Sequence, residues 1–265
     1  MNLYFLLEIH ETVSHTISPF LKLLYIFFTI ALALLHIFIG KLNWIEKILP
    51  KSRWLSLAAG VSLAYVFLEV LPELNKAQTE IEHYGGAVVQ YLEKHIYILA
   101  LVGLTVFYGL EILVQKSCRL NREAGREDCT SMNVFWIHIG SFAIYNILIG
   151  DLLNNTEKNG LVNAILLCIA LALHFLINDH SLRIHHKRSY DKIGRWILAG
   201  ALVLGWIMAE AVYLNEAFIA ILWGLVAGGI ILNVLKEELP ESKQSCFWSF
   251  TFGTVIYSAL ILAIS

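Results

Sequence analysis

Eight stretches of about twenty apolar residues run through the chain: Ser18–Gly40, Trp54–Leu74, His95–Gln115, Val134–Leu153, Gly160–Asp179, Ile193–Tyr213, Glu216–Leu239 and Cys246–Ile264. Each is long enough to cross a hydrocarbon layer roughly 30 Å thick. A backbone inside lipid has no water to bond with, so a spanning stretch of this kind is helical. The composition agrees: 58% of the residues are hydrophobic and 15% charged, more apolar surface than a soluble chain of 265 residues could bury. The expected fold class is an all-α polytopic membrane protein, a single transmembrane domain over residues 1–265 with eight transmembrane helices.

Charge gives the orientation. Lys41, Lys47, Lys51 and Arg53 lie between spans 1 and 2, and Lys116, Arg119, Arg122 and Arg126 between spans 3 and 4. Arg183, Lys187, Arg188, Lys192 and Arg195 surround the junction of spans 5 and 6, and Lys236 and Lys243 that of spans 7 and 8. The other side carries Lys76, Lys94 and Lys158. The positive-inside rule puts the basic side in the cytoplasm and both termini outside it, in a multi-pass protein of the plasma (inner) membrane. The N-terminal stretch lacks a basic n-region and a cleavage site, so it does not read as a signal peptide. No basic run carries the interleaved aromatics that nucleic acid would need. Cys118 and Cys129 fall in a loop assigned to the cytoplasm, where thiols stay reduced, and a disulfide is not expected. Two cysteines in a loop without histidine make a weak metal set.

The second and seventh spans contain one sentence written twice. "LAAGVSLAYVFLEVLPEL" (57–74) and "LVAGGIILNVLKEELPES" (225–242) align without a gap, matching Leu57/Leu225, Ala59/Ala227, Gly60/Gly228, Val66/Val234, Glu69/Glu237, Leu71/Leu239, Pro72/Pro240 and Glu73/Glu241. Small residues recur by chance in membrane helices, but a Glu-x-Leu-Pro-Glu ending in register does not come so easily. Four spans separate the copies, so they run in opposite directions. That is the inverted repeat of many secondary transporters, with halves made of spans 1–3 and 6–8 and spans 4 and 5 inserted between them.

Spans 4 and 5 then carry the candidate site. In "VFWIHIGSFAIYNILIGDLL", His138, Phe142, Tyr145 or Asn146, and Ile149 fall on one side, with Asp151 near the outer end. In "GLVNAILLCIALALHFLIND", His174 and Asn178 share a face, and Asp179 follows. Ionisable groups inside a membrane are costly and point by default to a site or a pathway. For His138 alone, a hydrogen bond that fastens the bundle is the competing role.

Taken together, the eight spans, the 3+2+3 repeat and the polar motifs of spans 4 and 5 resemble the ZIP (Zrt/Irt-like) divalent metal transporters. "AAGVSLAYVFLEVLPEL" and "AGGIILNVLKEELPE" are similar to that family's second and seventh helices. Its fourth-helix motif, His-Asn-x-Pro-Glu-Gly, matches "YNILIG" from Tyr145 to Gly150, and its fifth-helix motif, His-Glu-x-Pro-His-Glu, matches "HFLIND" from His174 to Asp179.

The departures are large. Tyr145, Leu148 and Ile149 replace the family's His, Pro and Glu, and Phe175, Ile177, Asn178 and Asp179 replace its Glu, Pro, His and Glu. Ile149 stands where a two-metal site has its bridging carboxylate, so the resemblance implies at most a single weak metal site. Its donors would be His174, Asn146, Asn178 and Tyr145, with Asp179 alongside. Without the motif prolines both helices should be straighter. Glu69 and Glu237 would stand one at each mouth, attracting cations or capping Pro-terminated helix ends, and His138 along the pathway.

The resemblance thus implies a secondary transporter of a divalent metal or related small cation. Zinc, iron or manganese would be substrate rather than resident cofactor. The expected partners are the lipid bilayer, the cation and a second copy in a homodimer. The alternative is a ZIP-fold protein that no longer transports metal and serves as a binding or regulatory subunit. An enzyme is not expected: "DHSLRIHHKR" gathers His180, His185 and His186, but membrane di-iron or zinc sites need several such boxes, and an interfacial basic cap explains the pair His185–His186.

Overall fold

The computed structural model describes residues 19–38, 40, 51–83, 96–125, 129–155, 161–211, 216–238 and 246–263. Every regular element among them is helical. In chain order they are α1 (Pro19–Phe38), α2 (Lys51–Tyr65), α3 (Leu71–His83), α4 (Ile96–Glu123), α5 (Met132–Asn155), α6 (Leu161–Ser189), α7 (Arg195–Ala211), α8 (Glu216–Asn233) and α9 (Phe247–Leu262). Among the described residues, six continuous stretches are long and apolar enough to cross a membrane, and α9 is a shorter apolar helix. The side chain of Glu237 and the positions of Pro240, Glu241, Lys94 and Lys158 lie outside the described residues.

Two expected boundaries move. The second span does not stop at Leu74. α2 and α3 form one rod joined by a π-helical turn, Val66–Val70, in which the Leu71 N–H reaches back five residues to the Val66 carbonyl. Pro72 has no N–H to offer the carbonyl four residues before it, and the wider turn absorbs that break without ending the helix. The second correction concerns spans 5 and 6. The residues expected to link them, 180–192, are helical almost throughout, so Ala164–Ala211 runs on as one stretch. It bends at Lys187, whose φ of 41° and ψ of −112° leave the helical region, and then passes through a π turn, Tyr190–Gly194. Arg183 braces the bend by a forked pair with Asp191, at 2.9 and 3.3 Å. Arg195 donates to the Ile37 carbonyl at 3.1 Å, satisfying an acceptor at the end of α1.

The π turn of the second span has a twin. Val234–Glu238 continues α8 as another π turn, and it occupies the same five positions of the duplicated sentence as Val66–Val70. A third π turn, Tyr190–Gly194, lies outside the duplicated stretch.

Glycines set how the rods cross. α9 packs along α2, α8 along α4 and α7 along α5, while α1 lies against α6 and α7. A Cβ on Gly60 would strike the Phe250 carbonyl, and one on Gly253 the Leu57 carbonyl. In the α8–α4 crossing, Gly228 stands against the Ala100 carbonyl and Gly103 against the Leu225 carbonyl. Leu57 and Gly60 are the repeat partners of Leu225 and Gly228, so the two crossings are built alike. The α5–α7 crossing uses Gly150 against Leu202 and Gly205 against Ile147. In lipid, close packing of this kind replaces the hydrophobic drive that water would supply.

Burial follows helical spacing. On α1, Phe20, Leu23, Phe27, Ile30 and Leu34 form an exposed apolar stripe suited to lipid tails, while Tyr25, Thr29, Leu32 and His36 are buried. α5 and α6 run unbroken through Leu148 and Ile177, as the missing motif prolines predict. The expectation of free loop thiols is corrected: Cys118 near the end of α4 is disulfide-bonded to Cys129. Their Cα atoms are 4.4 Å apart, and the Ser131 N–H donates to the Ser117 hydroxyl at 2.8 Å beside them.

Candidate intramembrane polar site

The central group of polar side chains is held by α1, α5 and α6. Asn146 of α5 donates through Nδ2 to the Phe142 carbonyl one turn back at 2.8 Å, which fixes its amide and leaves Oδ1 as an acceptor. His36 Nε2 is 3.0 Å from that Oδ1, and His36 Nδ1 is 2.7 Å from Asp179 Oδ2 on α6. All three residues are fully buried. Since Nε2 must donate to the amide oxygen, the contact with Asp179 also needs a proton, carried either by Nδ1 or by the carboxyl. The pair therefore holds one proton between a ring nitrogen and an oxygen. The Phe175 ring lies tilted on His36, 4.4 Å between centroids, and seals one side.

Tyr145, next to Asn146 on α5, and His174, five residues before Asp179 on α6, form a separate pair, hydroxyl to Nε2 at 2.6 Å. Nearer the basic end, a third group runs from Thr130 Oγ1 to His186 Nδ1 at 2.6 Å and from His186 Nε2 to His138 Nδ1 at 2.8 Å. Phe142 separates these polar islands, edge-on to His138 at 5.0 Å and to Tyr145 at 6.0 Å, with Phe107 packed against it at 5.7 Å. A small cavity opens on this aromatic barrier. Its polar lining is Glu111 of α4, His138, Asn178, Ser181, Asn233 of α8 and Lys236. Lys236 pairs with Glu111 at 2.8 Å, and Gln115 donates to the same carboxylate at 3.0 Å. Among the described residues, no acceptor meets the buried Nδ2 atoms of Asn178 and Asn233, as suits groups facing a polar cavity.

The sequence candidates thus divide into several places. His174 and Tyr145 bond each other, so the ring nitrogen expected to bind a cation is already engaged. Asn146 and Asp179 meet through His36. Asn178 and His138 line the cavity. Ile149 and Phe175 are buried in the apolar core, as are Tyr145 and Phe142 around them. Asp151 is buried at the other end of α5, and Glu69 is exposed on its π turn. Glu237 has its backbone in the second π turn, with its side chain outside the described residues.

His36, Glu111 and Asn233 were missed by sequence reasoning. The first two carried the signal that singled out His138, an ionisable residue inside an apolar span, but neither has a motif around it. No protein-family model, curated protein or solved structure matches the chain.

Proposed function

We propose that the chain is a multi-pass membrane protein built on a ZIP-like 3+2+3 inverted repeat, and that it carries a divalent transition-metal cation, zinc, iron or manganese, across the membrane. Support for the repeat comes from the paired π turns and from two crossings of like construction. Exchanging spans 2 and 7 together with 3 and 8 turns the α2–α9 contact into the α8–α4 contact. The basic ends of the helices share one side, on this reading the cytoplasmic one.

The observation that carries the transport reading is the buried Glu111, reached by a cavity lined with His138, Asn178 and Asn233 from three further helices. Oxygen and imidazole donors converging inside a bundle suit a borderline divalent cation. Lys236 occupies the carboxylate as a tethered cation. The site differs from the one implied by the resemblance, since it lies toward Glu111 rather than around His174.

Uptake of labelled zinc, iron(II) and manganese(II) into proteoliposomes tests this. Uptake by the wild type that Glu111→Gln reduces at least tenfold, with His174→Ala affecting it less, is the expected result. One observation favours the second reading, a ZIP-fold binding or regulatory subunit without transport: Ile149 and Phe175 form apolar packing where the family has carboxylates. Absence of uptake for all three ions would favour it.

A further inference from the structure

We infer that Cys118, Cys129 and His185 form a second metal site, closed while the cysteines are joined and opened when a dithiol reduces them. Among the described residues, these are the three His, Cys, Asp or Glu side chains whose ligand atoms all lie within 4.8 Å of one another. His185 Nδ1 is 4.0 Å from Cys118 Sγ. The three come from separate parts of the fold: the end of α4, the turn before α5 and the last turns of α6. No sequence spacing could have joined them. Cys118 is buried, whereas Cys129 and His185 are half-buried, so an ion can enter from the aqueous end.

Two thiolates and one imidazole are a zinc-class donor set, with the fourth tetrahedral position left for water or an exchanging ligand. Zinc–sulfur bonds of about 2.3 Å hold two sulfurs roughly 3.8 Å apart, so metal and disulfide exclude each other. Opening follows ordinary exchange. A thiolate of the external dithiol attacks one sulfur, the other leaves as thiolate, and the second thiol resolves the mixed disulfide. Two electrons and two protons pass to Cys118 and Cys129, and the dithiol departs as its own disulfide. Zinc then displaces both thiol protons.

The surroundings suit a site that changes state. Thr130 follows Cys129 and His186 follows His185, and Thr130 bonds both the His186 ring at 2.6 Å and the His185 carbonyl at 3.5 Å. Spreading the sulfurs therefore pulls on the chain that ends at His138 in the cavity wall. Lys187, next along, is the only non-glycine residue with positive φ among the described residues, so the backbone beside His185 is held in a strained bend. The site does not depend on the transport reading, and its role in a cell needs only that the basic end face a reducing compartment, where a permanent disulfide would be out of place.

Cobalt(II) binding to purified full-length protein in detergent is the test, in a Cys168→Ser, Cys246→Ser background so that no other thiol contributes. The oxidised protein should show no thiolate-to-cobalt charge-transfer absorption. Reduction with a phosphine should bring it out, zinc should abolish it, and reoxidation should expel the metal. His185→Ala keeps both thiols and their disulfide and should weaken cobalt binding at least tenfold, whereas His174→Ala should leave it unchanged. Two results would overturn the inference: no charge-transfer band after reduction, or equal affinity with and without His185. A disulfide that yields to the phosphine only on unfolding would also overturn it, since the pair would then be a permanent staple.

Discussion

His36 Nδ1 and Asp179 Oδ2 are 2.7 Å apart although 143 residues separate them in sequence, and both side chains are fully shielded. The contact fixes α1 against α6, and Asn146 extends it to α5. Removing one partner leaves the other buried without its closest polar contact, at a cost of about 3–5 kcal/mol. His36→Leu should therefore lower the melting temperature in detergent sharply. The double change His36→Leu, Asp179→Leu should recover much of the loss, because two apolar groups need no proton. A double variant as unstable as the sum of the single ones would show that the two residues do not act as a pair.

Glycine substitutions test the crossings. Leucine at Gly60 or Gly228 would drive a side chain into a carbonyl of the facing helix, and overpacking of this kind costs roughly 1–3 kcal/mol or more. The two variants should lose similar stability, being equivalent positions of the repeat. Gly109, Gly140 and Gly200 face open space. Alanine there should be neutral or gain up to about 1 kcal/mol from helix propensity. Thermal unfolding of the five variants checks the contrast, and equal losses at all of them would remove the crossings as its explanation.

How much of this could be read beforehand depended on the range of the interaction. Apolar length is local, so the all-helical, membrane-spanning character was legible, whereas Pro72, expected to close the second span, lies in a helix that continues past it through a π turn. The bend at Lys187 was not legible, because it is imposed by Arg183, Asp191 and Arg195 acting across the end of the bundle rather than by a glycine or proline in the chain. The polar site was half legible. Asn146 and Asp179 stood out by helical spacing, but their partner His36 lies in a span without a motif around it. The disulfide was read wrongly because compartment was inferred from charge, while the reversal that joins Cys118 to Cys129 depends on a turn that composition does not specify.

Orientation is testable by labelling. In a variant with the native cysteines replaced by serine, Glu210→Cys should react with an impermeant maleimide on intact cells and Arg188→Cys only after lysis. Glu210 pairs with Lys22 at 2.7 Å at one end of the bundle, while Arg188 belongs to the basic end. The reverse pattern would invert the proposed topology and place the Cys118–Cys129 pair outside the cytoplasm.

Lys236 offers the sharpest test of the cavity. Its ammonium sits 2.8 Å from Glu111, and neither group is well exposed. If the carboxylate is a cation site with a built-in competitor, Lys236→Met should leave it vacant for a divalent ion. The variant alone should be less stable than the wild type, because an unpaired carboxylate remains in a poorly solvated cavity. Zinc or manganese should then raise its melting temperature more than that of the wild type, since a ligand at a hundredfold its dissociation constant adds about 2.7 kcal/mol. Glu111→Gln in the same background should cancel the metal's effect while restoring stability, because the charge itself is gone. A purely structural ion pair predicts otherwise: Lys236→Met would be destabilised to the same degree with or without metal, and Glu111→Gln would then rescue stability without changing any response to the ion.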